Sequence, residues 1–153
     1  MATEFVKITG VAEYAKVFES NRDMKGYEDA FVDCNGAYTI DLIINEEEFA
    51  RLQDSGSKLV GKETPDGERR MKFKRKHETK NKEGEIIAAF SGPPQVVDSD
   101  GNNWDEDDLI GNGSTVEVAI TVTPDKKRSS IVYTRLEGVK VLDYVPFKGD
   151  EES

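Results

Sequence analysis

Residues 115–123, Thr-Val-Glu-Val-Ala-Ile-Thr-Val-Thr, put Val116, Val118, Ile120 and Val122 at every second position. A period of two places those four on one face of an extended chain and Thr115, Glu117, Thr121 and Thr123 on the other, the pattern of a strand with one side on a core. The period recurs in residues 37–44, where Tyr38, Ile40, Leu42 and Ile44 share a face. It recurs again in residues 70–76, where Met71 and Phe73 point one way and Arg70, Lys72, Lys74 and Lys76 the other. A chain with three such segments must pack sheet against sheet, or close a sheet on itself.

The rest of the chain supplies further strands and the turns between them. Residues 5–10 read as a first short strand. Residues 11–19 satisfy a helical face through Val11, Tyr14, Val17 and Phe18, and strand alternation through Tyr14, Lys16 and Phe18; extended chain is favoured. Asn35-Gly36, Pro65-Asp66-Gly67, residues 81–84 and residues 98–103 are turn signals. Residues 85–90 read as a strand that forms a hairpin with the basic segment before them, and residues 95–97 resume the pattern after Gly92-Pro93-Pro94. Residues 131–144 make one long strand or two, with Gly138 at a bulge or bend. Asn45 caps one short helix, whose first turn carries Glu46, Glu47 and Glu48 at the positive end of its dipole and which stops near Ser55-Gly56.

With 153 residues, the chain is long enough for one domain with its own core. One helix and six or more short strands predict an all-β fold, a five-stranded antiparallel Greek-key barrel of the OB type, with a β-sandwich as the alternative. Residues 1–147 form the domain and residues 148–153 a short acidic tail. No apolar run is long enough to span a membrane, and the N-terminus lacks the pattern of a signal peptide. A single cysteine, Cys34, fits a reducing cytoplasm.

Catalytic chemistry finds little footing. There is one histidine, His77, inside the basic run, and one cysteine, too few for a zinc set. Residues 98–108 superficially resemble a calcium loop but carry Asn103 where glycine is needed and Leu109 where the bidentate glutamate is needed. Gly111-Asn112-Gly113-Ser114 leads into a strand and lacks the phosphate-loop lysine. The expectation is a protein without enzymatic activity, metal or cofactor. A metal-dependent enzyme built on residues 98–108 trails as a third reading.

Charge distribution gives the functional signal. The net charge is −10, yet residues 58–82 hold ten Lys or Arg and four Asp or Glu, a local balance of +6, against −16 for the remainder. Four cations on the open face of one strand make a track for a polyanion, and Lys126, Lys127 and Arg128 add a second cluster. Single-strand binders pair such tracks with rings on which bases stack; the candidate rings are Tyr27, Phe31, Trp104 and Tyr133. The competing reading is a protein-interaction β-domain that uses its acidic surface, with the basic strand guarding a sheet edge.

Several stretches resemble the single-stranded DNA-binding proteins of short-tailed (podovirus-type) bacteriophages. Residues 36–42, Gly-Ala-Tyr-Thr-Ile-Asp-Leu, are similar to that family's Gly-aliphatic-Tyr-x-Val-Asp-Leu strand, and Met71-Lys72-Phe73-Lys74 to its Phe-Lys-Phe-Lys strand. Val96-Val97-Asp98-Ser99-Asp100-Gly101, followed by Leu109-Ile110-Gly111-Asn112-Gly113-Ser114, matches a third segment, and residues 116–124 and 136–142 follow in order. The resemblance implies an OB-fold replication and recombination protein that binds single-stranded DNA without sequence preference, in the cytoplasm of an infected bacterium, with Lys72 and Lys74 as its strand lysines. It also implies an acidic tail, here Asp150, Glu151 and Glu152, that recruits the phage DNA polymerase and helicase-primase and supports a homodimer. The chain departs from the family at Asn35, where a basic residue is expected, at Lys76, where an aromatic is expected, and at its short tail ending in Ser153.

Overall fold

The computed structural model describes residues 3–18, 22–26, 31, 32, 34–105, 108–125, 127, 128 and 130–146. Among the described residues, seven strands share one sheet: β1 (Glu4–Lys16), β2 (Ala37–Ile44), β3 (Lys62–Glu63), β4 (Arg69–Lys76), β5 (Gln95–Val97), β6 (Thr115–Pro124) and β7 (Val132–Asp143). Helix α1 (Glu46–Asp54) follows β2. The sheet order is β3-β4-β2-β1-β6-β7-β5.

The five long strands are antiparallel, as the alternation predicts. Their order β4-β2-β1-β6-β7, with β4 coming round to β7, is the Greek-key barrel of the OB type. Two short strands extend it: β3 pairs with the start of β4, and β5 pairs in parallel with β7. The inward residues the alternation named line one core. Ile40, Leu42, Met71, Phe73, Val116, Val118 and Ile120 are buried together with Ile8, Ala12, Leu136 and Val139. The helix closes one end of the barrel with Leu52. Asn45 caps it by accepting the Glu48 amide at 2.9 Å, and Glu48 in turn accepts the Thr9 amide of β1 at 2.7 Å.

β1 serves two partners. Glu4 to Val11 pair with β6, and Val11 to Lys16 with β2. The switch falls at Val11, next to Gly10, where a Cβ would lie 2.5 Å from the Ile43 carbonyl oxygen, so the crossing admits only glycine without displacement. Beyond it the register slips between Glu13 and Lys16, and Tyr14 takes a positive φ of 51°.

One expectation needs correction. Residues 85–90 are not a strand. Ile86 makes one isolated bridge to Lys80, and Ala88–Phe90 form a 3-10 turn. The reason is tertiary: the turn places the Phe90 ring 3.9 Å under the Arg135 guanidinium and frees the Ser91 and Gly92 carbonyls to accept from Arg75. The alternative of one strand or two over residues 131–144 resolves to one, Val132–Asp143, with a bulge at Glu137 beside Gly138, as expected there, and a second register slip at Leu142.

Candidate nucleic-acid interface

Strand β4 carries the site. Its residues alternate as predicted, with Met71, Phe73 and Arg75 buried and Lys72, Lys74 and Lys76 exposed. Pairing with β2 sets Lys72 beside Asp41, Lys74 beside Thr39 and Lys76 beside Ala37. The cations therefore stand in a row on the outer face of the barrel, about 6.5–7 Å apart along the strand.

Ion pairing divides them. Arg70 lies 2.5 Å from Glu13 of β1 and 3.5 Å from Asp41, and Lys72 reaches Asp41 at a long 3.8 Å. The Arg70 charge is largely answered within the chain, and that of Lys72, which is mostly exposed, is loosely shared. No ion pair holds Lys74 or Lys76 among the described residues. Lys16, which the sequence reading left out of the track, joins it: the bulge in β1 turns it to stand opposite Thr39, itself the partner of Lys74. The signal was hidden because the bulge reverses the alternation.

The connection between β1 and β2 covers part of this face. Asp23 bridges Ala37 through two hydrogen bonds of 2.8 Å, and Phe31, Cys34 and Ala37 form a small second core. Burial pushes the Asp23 carboxyl up, but the amides of Gly26 and Lys25 and the charges of Lys16 and Lys72 outweigh it and hold it below its usual value. Phe31 is only 7 % exposed, with the Lys74 ammonium 5.7 Å from its ring centre. It is a floor for Lys74 and offers no open face for stacking.

The remaining predicted residues fall elsewhere. Trp104 packs edge-on against Tyr144 at 4.9 Å, and its indole N–H donates to the Asp108 carbonyl, which makes it a half-buried brace at the far end of β7. Tyr133, 48 % exposed, stands at the start of β7 with its hydroxyl donating to Asp125. Asp125 also accepts from the amides of Lys127 and Arg128, so one carboxylate organises the β6–β7 loop. The Tyr133 hydrogen bond, then the Arg128 and Lys127 amides, hold that carboxyl below its usual value, and the same bond raises the Tyr133 phenol. Tyr27, Lys126 and the tail residues Asp150, Glu151 and Glu152 lie outside the described residues. His77 is tied down, its Nδ1 lying 2.7 Å from the Tyr38 hydroxyl.

Arg75 is the residue that the run of cations concealed. It points inward at the seam where β4 meets β7. Its guanidinium binds Glu137 at 2.9 Å and donates to the carbonyls of Gly92 and Ser91. Ser57 and Thr134 join the same seam through their hydroxyls at 2.8 Å. Arg75 closes the barrel and is unavailable to a ligand. Among the described residues no group of histidine, cysteine or carboxylate side chains is arranged to hold a metal. No helix among them is long and apolar enough to cross a membrane.

No protein-family model matches the chain, and no curated protein sequence does. Solved structures do. The gp2.5 single-stranded DNA-binding protein encoded by bacteriophage T7 superposes with a TM-score of 0.59 at 22% identity, over 99% of this chain and 92% of that one. It has their fold: this chain is built like the single-stranded DNA-binding proteins of phages. The protein from bacteriophage Enc34, in complex with single-stranded DNA, gives a TM-score of 0.56 at 12% identity, over 95% of this chain and 89% of that one. Its DNA-free form gives 0.55 at the same identity.

Proposed function

We propose that the chain binds single-stranded DNA without sequence preference during phage replication, along the β2–β4 face. One observation carries the reading: Lys72, Lys74 and Lys76 stand in an exposed row on the strand pair that OB-folds use for oligonucleotides. Lys16 widens the row, and the β6–β7 loop borders it with Lys127, Arg128 and the open ring of Tyr133. Its lysines grip phosphates without reading bases, which suits a sequence-independent grip. The likeness to phage proteins described as single-stranded DNA-binding supports the same reading. Work in phage recombination, the host cytoplasm as its place, the absence of catalysis, the acidic tail as a dock for polymerase and helicase-primase, and homodimerisation belong to the proposal as well.

The test is a fluorescence titration of labelled oligothymidine and of a duplex of equal length, at low and moderate salt. The single strand should bind more tightly, and both affinities should fall with salt. A Lys72→Ala, Lys74→Ala variant that keeps its fold should lose at least tenfold in affinity at low salt, on the order expected for two phosphate contacts. Equal binding by that variant rejects the site, and no binding by the unaltered protein rejects the function.

A further inference from the structure

Two non-glycine residues among those described have positive φ, Asn35 at 61° and Tyr14 at 51°. Asparagine visits this region readily, whereas for a bulky aromatic it is an outlier. Tyr14 is held there by its own amide, which donates to Asn112 Oδ1 at 2.8 Å, and by the flanking bonds from Ala12 N to the Ser114 carbonyl and from Gly113 N to the Ala12 carbonyl. The strain is not offset by burial, because the residue is 60 % exposed. Strained residues of this kind concentrate where a ligand is met.

Its neighbours show which ligand. Glu13, one residue before, reaches Arg70 of β4, and Lys16, two residues after, stands across Thr39 from Lys74. The bulge thus sets an exposed ring on the rim of the basic face, between two residues whose side chains belong to it. We propose that Tyr14 is a base-stacking platform for single-stranded DNA, with Lys16 on the adjoining phosphate. This rests on the function proposed above and adds an open ring beside Lys16, where Phe31 is buried and Tyr133 stands apart at the β6–β7 loop.

Glycine is at ease at φ 51°, so Tyr14→Gly separates stacking from folding. The affinity of that variant for oligothymidine should fall about tenfold, within the range of one stacked base, while its thermal midpoint stays level or rises. Tyr14→Asn, which also tolerates the conformation without a ring, should lose the same affinity, and Tyr14→Phe should retain it. On an abasic strand of equal length the glycine variant and the unaltered protein should bind alike. Unchanged binding of oligothymidine by both the glycine and asparagine variants overturns the proposal, as does an equal loss on the abasic strand. If the unaltered protein binds neither strand, the function itself falls and Tyr14 with it.

Discussion

Lys74 and Arg75 are adjacent cations, and one bond of backbone decides their fates. Lys74 points to solvent over the Phe31 ring, while Arg75 turns inward to Glu137 and two carbonyls. Among the outward four, the answering carboxylates rank the charges: Arg70 is held by Glu13 and Asp41, Lys72 shares Asp41 at a distance, and no ion pair engages Lys74 or Lys76 among the described residues. A phosphate that takes Arg70 must first displace a carboxylate. Lys74→Ala and Lys76→Ala should therefore each lower affinity for oligothymidine about 5- to 10-fold at low salt. Arg70→Ala should change it less than about twofold. A larger loss at Arg70 than at Lys74 would mean that the ion pairs open on binding. The ranking could not be read from the sequence, since Glu13 lies far along the chain and nothing local marks it as the partner of Arg70.

At the scale of elements, the seam between β4 and β7 is where the barrel is most vulnerable. Four antiparallel pairings lead from β4 round to β7, so the two meet in parallel, and side chains rather than a ladder hold them. Arg75→Ala should destabilise the fold by about 2–3 kcal/mol, below the usual 3–5 for a broken buried pair because Glu137 is partly exposed. Arg75→Lys should recover little, since an ammonium cannot serve a carboxylate and two carbonyls in the fork geometry. Urea unfolding with an unchanged m-value measures it, and a lysine variant of full stability contradicts the role. Strands β2, β4 and β6 were legible because apolar side chains recur at every second position of each and pack into the core. β1 was legible as extended chain over residues 5–10 and 11–19, but its bulge was not, because it resets the alternation at Tyr14; residues 85–90 were misread because the Phe90 ring serves Arg135 and the backbone just beyond it, at Ser91 and Gly92, serves Arg75.

The β6–β7 loop is an element with its own pH dependence. The Asp125 carboxyl sits below its ordinary 3.8, held first by the Tyr133 hydroxyl and then by the Arg128 and Lys127 amides. A depressed carboxyl contributes order that is complete above its unfolded value and lost as pH falls through the folded one. The loop should stay fixed at neutral pH and loosen only below about pH 3.8. The Tyr133 ring resonances in NMR spectra would report that change, and Asp125→Ala should reproduce the loosened spectrum at neutral pH and return the phenol toward its ordinary 10.0. Loosening already at pH 6 would show that some other group holds the loop.

At the scale of the whole molecule, a chain of net charge −10 must confine a polyanion to one strip. Lys16, Lys72, Lys74 and Lys76 lie together on the β2–β4 face, whereas Lys127 and Arg128 lie in the loop that precedes the start of β7. Because β4 and β7 run in parallel, that loop borders the Arg69 end of β4 and not the Lys76 end. A strand must therefore cross the face to touch both groups, and its length decides whether it does. Each neutralised phosphate contributes about −0.7 to the slope of log affinity against log salt. For an oligothymidine of about five nucleotides, the slope should be near −3, and Lys127→Ala, Arg128→Ala should leave it unchanged. For one of about fifteen, it should steepen to near −4, and that double variant should restore it to near −3. One slope at both lengths would reduce the interface to β4 and its neighbours and leave the loop cations without a part in the grip.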